Sequence, residues 1–175
     1  MRAHMIAFAA LCLTAGLTTG LAPAAFAKGE RPTTQAQVDY PAFASLTDNV
    51  AAYRQSRLIT LEQFQAMAAD RDTLILDARS PAAFARGHID GAVNVPFTDF
   101  TAPFLREQIG DPDRRILIYC NNNFANNAAP VVMKAAPLAL NIPTFINLYG
   151  YGYRNVYELG DVVDFNDPAV HWVRG

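Results

Sequence analysis

Cysteine is almost missing from this chain: its 175 residues include two, Cys12 and Cys120. Two thiols cannot build a disulfide framework, which excludes the stapled mini-protein folds. A surplus of charge is missing as well, since 14 Lys+Arg stand against 16 Asp+Glu and no block of like charges occurs. Without a basic excess, neither a nucleic-acid groove nor a polybasic membrane anchor is expected. Histidine is scarce, three in all, and no internal repeat is visible. What is there is ordinary globular material, with 51% hydrophobic residues, 10 glycines and 11 prolines. The length suits one domain plus a leader better than two domains. The partner expected from this composition is a small molecule or another protein.

Arg2 and His4 precede an apolar run over 5–17, followed by small residues ending in Ala25-Phe26-Ala27. This is the pattern of a secretory signal peptide with an Ala-x-Ala-like cleavage site. Thr18, Thr19, Gly20 and Pro23 interrupt the stretch and count against a membrane anchor. Residues 1–27 are therefore read as a signal peptide, with a periplasmic or secreted mature chain that starts at Lys28 and has no further use for the membrane. Its removal leaves Lys+Arg 13 against Asp+Glu 16, and Cys12 departs with it. Cys120 becomes the single cysteine of an exported protein. Such a thiol is a buried inert residue, an intermolecular bridge or a reactive group, and composition does not choose among them.

Residues 28–56 form an N-terminal extension, polar to about Asp39. Within it, Phe43, Leu46, Val50 and Tyr53 fall at intervals of three or four, which predicts a helix over 41–55 lying on the domain. From Arg57 onward, short apolar runs alternate with helical stretches. Strands are expected at 57–59, 73–76, 92–95, 115–119 and 144–148. Thr60 caps a helix over 61–69, with Gln63 completing a capping box. Ser80 and Pro81 start a short helix that Gly87 ends. Further helices are expected at about 100–108, over 128–140 and over 154–159. Alternation of this kind is the pattern of a parallel α/β sheet covered on both faces.

Ligands of open α/β sheets sit outside the carboxyl ends of the strands. That rule gathers Asp77, Cys120 and the 149–153 loop on one rim. Tyr149 or Tyr151 is then expected at the pocket mouth, and Tyr157 in the packing. The segment after Cys120 reads Asn121-Asn122-Asn123-Phe124-Ala125-Asn126-Asn127 and leads toward the helix expected over 128–140. A strand-loop-helix turn of this kind presents the thiol to backbone N–H groups and a helix N-terminus, which stabilise a thiolate or persulfide. Asparagine also tolerates the left-handed angles of a tight anion-binding loop. Asp77 and Arg79 are read as a hydrogen-bonded pair tying strand end to loop, and His88 as a side chain bonded to backbone. With His171 the only other mature histidine, no metal site is expected.

At these residues the chain resembles a known family. Leu76-Asp77-Ala78-Arg79, then Phe84, then the run from Gly87 through His88, Ile89, Asp90, Gly91, Ala92, Val93, Asn94 and Val95 to Pro96, is similar to the rhodanese-like domain. Tyr119-Cys120 falls where that family carries its catalytic cysteine. The resemblance covers about residues 57–165 and leaves the extension and the 166–175 tail outside it. It implies a three-layer α/β/α fold with a mostly parallel central sheet of about five strands. It also implies a sulfurtransferase without a cofactor, in which Cys120 holds sulfur as a persulfide and Asn121, Asn122, Asn123, Phe124 and Ala125 cradle it. The partners implied are a sulfur-containing donor such as thiosulfate, a polysulfide or a persulfide, and a thiol or other thiophilic acceptor.

Two departures bear on the donor. The loop carries no charged residue, and Ala83 stands where some relatives have arginine. Each lost contact to a doubly anionic donor weakens it by about 1 kcal/mol or more, which favours a polysulfide, a persulfide or protein-bound sulfur. The competing reading is a catalytically weak binding or adaptor module for a periplasmic protein partner. A Cys-based phosphatase or arsenate reductase ranks lower, because phosphate chemistry needs an arginine in the loop and the sixth residue after Cys120 is Asn126.

Overall fold

Short polar side chains set where four of the helices begin, and in three of these proline stands in the first turn. The Asp39 carboxylate accepts the Ala42 N–H at 3.0 Å, with Pro41 in the first turn, and opens α1 (Tyr40–Gln55). Thr60 and Gln63 close a reciprocal capping box at the head of α2 (Leu61–Ala68). Ser80 caps α3 (Pro81–Arg86), and Thr101 caps α4 (Ala102–Ile109). These elements belong to a computed structural model that describes residues 36–174. The leader expected over 1–27 and the polar stretch ahead of residue 36 lie outside the described residues. Among the described residues no helix is long and apolar enough to cross a membrane.

Five strands, β1 (Leu58–Ile59), β2 (Leu74–Asp77), β4 (Ala92–Asn94), β5 (Ile116–Tyr119) and β6 (Val156–Leu159), make one sheet in the order β1-β6-β5-β2-β4. Every neighbouring pair in it is parallel. β3 (His88–Ile89) pairs antiparallel with β7 (Trp172–Val173) as a separate ribbon. The tail that the resemblance left aside thus lends Trp172–Val173 to the ribbon, and Trp172 stacks on Phe165 and meets Phe124 edge-on.

Strand alternation sorts the core into two layers. Leu74, Leu76, Ile116 and Ile118 pack under α1, α4 and α5 (Asn141–Gly150), against Val50, Leu105, Phe145 and Leu148. Ile75, Leu117 and Tyr119 face the other way, toward Phe64 of α2, Phe124, Val170 and Trp172. The result is the expected three-layer α/β/α architecture, with a central sheet that is wholly parallel.

Three expected elements are corrected. No α-helix forms over 128–140: Pro130 and Pro137 each remove a helical N–H, and only a single 3-10 turn, Ala136–Leu138, appears there. The run at 144–148 is helix, inside α5, and not strand. The run at 154–159 contains strand β6 and not helix. These corrections move the 149–153 turn. Residues 149 and 150 end α5, and 151–153 lead from it toward β6, whose first residue pairs with Ile116 at the start of β5. The turn therefore lies at the amino ends of the strands, opposite Cys120, and Tyr149 and Tyr151 do not line the candidate site. Tyr157 packs on the core and under the Arg57 guanidinium, as expected.

Candidate active site

Cys120 follows β5 directly and continues the face of Ile116 and Ile118, so its thiol points to the layer of α1 and α5. It is the free cysteine of the described residues and is 1% exposed. Backbone N–H groups of Asn122, Leu140 and Asn141 lie close enough to Sγ to favour its anion, and the Asn123 N–H also reaches it. Leu140 and Asn141 head α5, which has no side-chain cap at that end. Its unsatisfied N–H groups thus find the sulfur. The helix N-terminus expected beside the thiol is present, but it arrives from residue 140, after the chain has looped out and returned.

The asparagines explain how that excursion is held. Asn121 Nδ2 donates to Val132 O at 2.8 Å, and Asn127 Oδ1 accepts Met133 N–H at 3.0 Å. Asn122 Nδ2 donates to Lys134 O at 2.7 Å and its Oδ1 accepts Lys134 N–H at 3.1 Å. Side-chain amides thus pair the Cys120 loop with backbone that has no regular partner of its own. Of the asparagines in this loop only Asn127 takes a left-handed angle, with φ 42°, so the expected role of asparagine as a left-handed cradle residue does not hold for 121–123. These residues form a 3-10 turn.

Of the five residues expected to cradle sulfur, Asn122 and Asn123 line the cavity above the thiol and the other three do not. Phe124 is fully buried in the opposite core layer, its N–H bonded to Asn121 O. The Ala125 N–H is taken by Val163 O at 2.9 Å. Asn123 sits at the centre of the loop: its Oδ1 accepts Cys120 N–H at 2.9 Å, and its Nδ2 donates to Leu159 O at 2.8 Å.

The cavity over Cys120 measures about 420 Å³. Its walls are largely aliphatic, including Val50, Leu58, Ile142 and Val162, and α1 supplies one side. Polar side chains that the sequence pattern does not mark also stand there, among them Arg54, Asn141 and Glu158. Glu158 is 4% exposed. Arg54 grips it with two bonds, Nε to Oε2 at 2.5 Å and Nη2 to Oε1 at 2.6 Å. Asn141 Nδ2 bridges Glu158 Oε1 and Asn123 Oδ1, each at 3.1 Å. One signal in the sequence pointed here: a glutamate inside the apolar run Val156-Tyr157-Glu158-Leu159 needs a partner if buried. The partner lies 104 residues away, beyond what spacing reveals.

Burial pushes the Cys120 thiol up from its ordinary value, the N–H groups of Asn141, Asn122 and Leu140 pull it down, and the Glu158 charge adds to the rise. The net direction is upward, so the resting sulfur favours the neutral thiol. The same N–H groups are in place to stabilise negative charge once it forms.

Asp77 and Arg79 lie across the sheet from this cavity. Arg79 donates to Asp77 from Nε and Nη2, the latter at 2.6 Å, and from Nη2 to Gly87 O at 2.8 Å. Tyr119 Oη donates to Asp77 Oδ2 at 2.6 Å and accepts Ile89 N–H at 3.1 Å. The expected tie between strand end and loop is there, and neither residue touches the cavity. His88 Nδ1 lies 2.9 Å from Phe84 O, its ring stacked on Phe84. Among the described residues, no three His, Cys, Asp or Glu side chains are grouped to hold a metal ion.

The sequence matches no curated protein. Among solved structures, a rhodanese with anions from E. coli aligns at 20% identity and a TM-score of 0.40, over 59% of this chain and 99% of that one. A thiosulfate sulfurtransferase from Pseudomonas aeruginosa aligns at 21% identity and a TM-score of 0.43, over 68% of this chain and 20% of that one. The family model for the rhodanese-like domain matches residues 60–163, which is more than half of the chain and includes Cys120. The chain belongs to the rhodanese-like domain family.

Proposed function

We propose that this protein is a sulfurtransferase that carries sulfane sulfur on Cys120. The observation that carries the reading is a thiol at the carboxyl end of β5, on the floor of a cavity, with N–H groups from its own loop and from the head of α5 directed at Sγ. In the first step the Cys120 thiolate attacks the outer sulfur of a donor R–S–SH. A new S–S bond forms to Cys120 while the donor's S–S bond breaks. R–S⁻ leaves with the bonding pair and takes up the proton the thiol gave up. In the second step a thiolate or other nucleophile attacks the outer sulfur of the persulfide and restores the Cys120 thiolate. No net oxidation or reduction occurs, and no cofactor is needed.

Among the described residues the cavity's one cation, Arg54, is already paired with Glu158, so these residues offer a dianion no net positive charge. This supports a polysulfide or an organic persulfide as donor ahead of thiosulfate. We place the reaction in the periplasm or outside the cell, after loss of residues 1–27. Intact mass tests both points in one experiment on protein from a secreting host, reduced and then treated with polysulfide or thiosulfate. The expected result is a chain starting at Lys28 that gains one sulfur, more readily from polysulfide, while Cys120→Ser gains none.

A second reading, a binding or adaptor module for a periplasmic protein, is favoured by the burial of the thiol and by the exposed aliphatic rim at Leu138 and Val162. No sulfur gain from either donor would move the conclusion to it.

A further inference from the structure

The family match begins at residue 60, so α1 and its Arg54 lie outside it, yet α1 forms one wall of the Cys120 cavity. Glu158 pairs in register with Ile118 on β5, two residues before Cys120. A buried carboxylate beside a sulfur that must become anionic is unfavourable on charge alone. Arg54 meets that carboxylate with a two-pronged bond, the strong geometry for guanidinium and carboxylate. The arrangement continues inward without a break. Glu158 Oε1 holds Asn141 Nδ2, and Asn141 Nδ2 holds Asn123 Oδ1. Asn123 Oδ1 accepts the Cys120 N–H, and the Asn141 N–H lies close to Sγ.

Resting on the sulfurtransferase reading, we infer that Arg54 is a positioning residue for Cys120: it cancels the Glu158 charge beside the sulfur and, through Glu158 and Asn141, fixes the N–H frame around Sγ. The extension ahead of the family domain is thereby part of the active site. Among the described residues, the charged groups that line the cavity with the thiol are Glu158 from β6 and Arg54 from α1. The Cys120 loop and the head of α5 contribute neutral asparagines. Asp161, beyond β6, is committed to the Leu61 N–H at 2.7 Å, and Lys134 reaches the loop through its backbone.

The test is the pH dependence of Cys120 alkylation by iodoacetamide, read at the Cys120 peptide by mass spectrometry in the full chain. Alkylation needs no sulfur donor, so its outcome is separate from that of the sulfurtransferase reading. Arg54→Gln is expected to move the profile to higher pH and slow alkylation near neutrality by about threefold or more, the size expected from about half a pH unit. Glu158→Gln is expected to move it to lower pH. The double variant is expected to fall between the two, and Arg54→Lys between wild type and Arg54→Gln, because it keeps the charge and loses the fork. Sulfur loading is expected to follow the same order. An Arg54→Gln profile that coincides with wild type, or a double variant no different from Arg54→Gln, overturns the inference. If Arg54→Gln fails to fold, Glu158→Gln alone decides, and an unshifted profile there overturns it as well. Shifted profiles in a chain that takes up no sulfur would uphold the charge pairing and remove the catalytic reading.

Discussion

Two arginine–carboxylate pairs, each with a buried carboxylate, stand toward the carboxyl ends of the parallel strands, one on each side of the sheet, and they differ in almost every respect that matters. Asp77–Arg79 is closed off, with side chains 0% and 2% exposed, and its partners are a neighbouring tyrosine and backbone. Arg54–Glu158 leaves its arginine side chain 31% exposed to the cavity and is joined by hydrogen bonds to the residues around Cys120. The first pair spans two residues of sequence and the second spans 104. A pair sealed on all sides can only hold structure, because nothing can reach it. A pair half open to a cavity beside a thiol sets the charge that the sulfur feels.

Breaking each pair should expose this contrast. Asp77→Ala leaves the Arg79 charge buried without its partner and removes the acceptor of Tyr119 Oη. A loss of about 3–5 kcal/mol in urea-induced unfolding is expected. Arg54→Gln should cost less, about 1–3 kcal/mol, since water can reach the vacated position and Asn141 still bonds Glu158. The chemical readout should run the other way: the Cys120 alkylation profile moves in Arg54→Gln and stays in place in any Asp77→Ala chain that folds. Equal stability losses with equal profile shifts would erase the distinction between a lock and a charge-setting pair.

A smaller effect probes the sealed side alone. Gly87 lies against the Trp172 indole, and a Cβ there would come within 2.6 Å of Nε1 and 2.8 Å of Cε2 and Cζ2. The indole is held by Phe124 and Phe165 and cannot swing aside freely. Gly87→Ala is expected to cost about 1–3 kcal/mol, measured by the same unfolding, with Cys120 alkylation unchanged. Stability equal to wild type would show that the β3–β7 ribbon yields at little cost and that the closure around Arg79 is looser than its burial indicates.

What could be read in advance divides along the same line. The Asp-x-Arg pair, the Ser80-Pro81 and Thr60-Gln63 helix starts and strands β2, β4 and β5 are local features, set by residues within a few positions of one another. The place of Cys120 was legible because it directly follows a fully apolar strand. The errors fall where local pattern is ambiguous. Thr144, Phe145, Ile146 and Leu148 are all buried, and a short all-apolar run has no period to separate helix from strand. That misreading displaced β6 by exchange and carried the 149–153 turn to the wrong rim. The Arg54–Glu158 contact depends on the register of β6 against β5 and on how α1 lies across α5. Neither is encoded in any short stretch. Asn121 and Asn122 were found for their position, yet their task of pinning 132–134 needed the looped-out chain to be seen.

The smallest effect expected concerns the thiol, which the open pair influences and the sealed pair does not. Burial and the Glu158 charge hold the Cys120 thiol above its ordinary value in the folded protein, so the unfolded chain ionises first as pH rises. Below the ordinary value both states keep the proton, and the contribution of the neutral thiol is fully present. Between the ordinary and the folded values the unfolded state binds fewer protons, and stability falls with pH. Wild type should therefore lose stability relative to Cys120→Ser as unfolding is measured from about pH 7 to about pH 10. Buried Tyr119 also titrates above its ordinary value, but it is common to both chains and cancels in the difference. In a Glu158→Gln background the thiol's value comes down toward the ordinary one, so the gap between the cysteine and serine chains should narrow. A gap that stays constant across this range, or one that Glu158→Gln leaves untouched, would mean that the open pair and the thiol do not share an electrostatic environment.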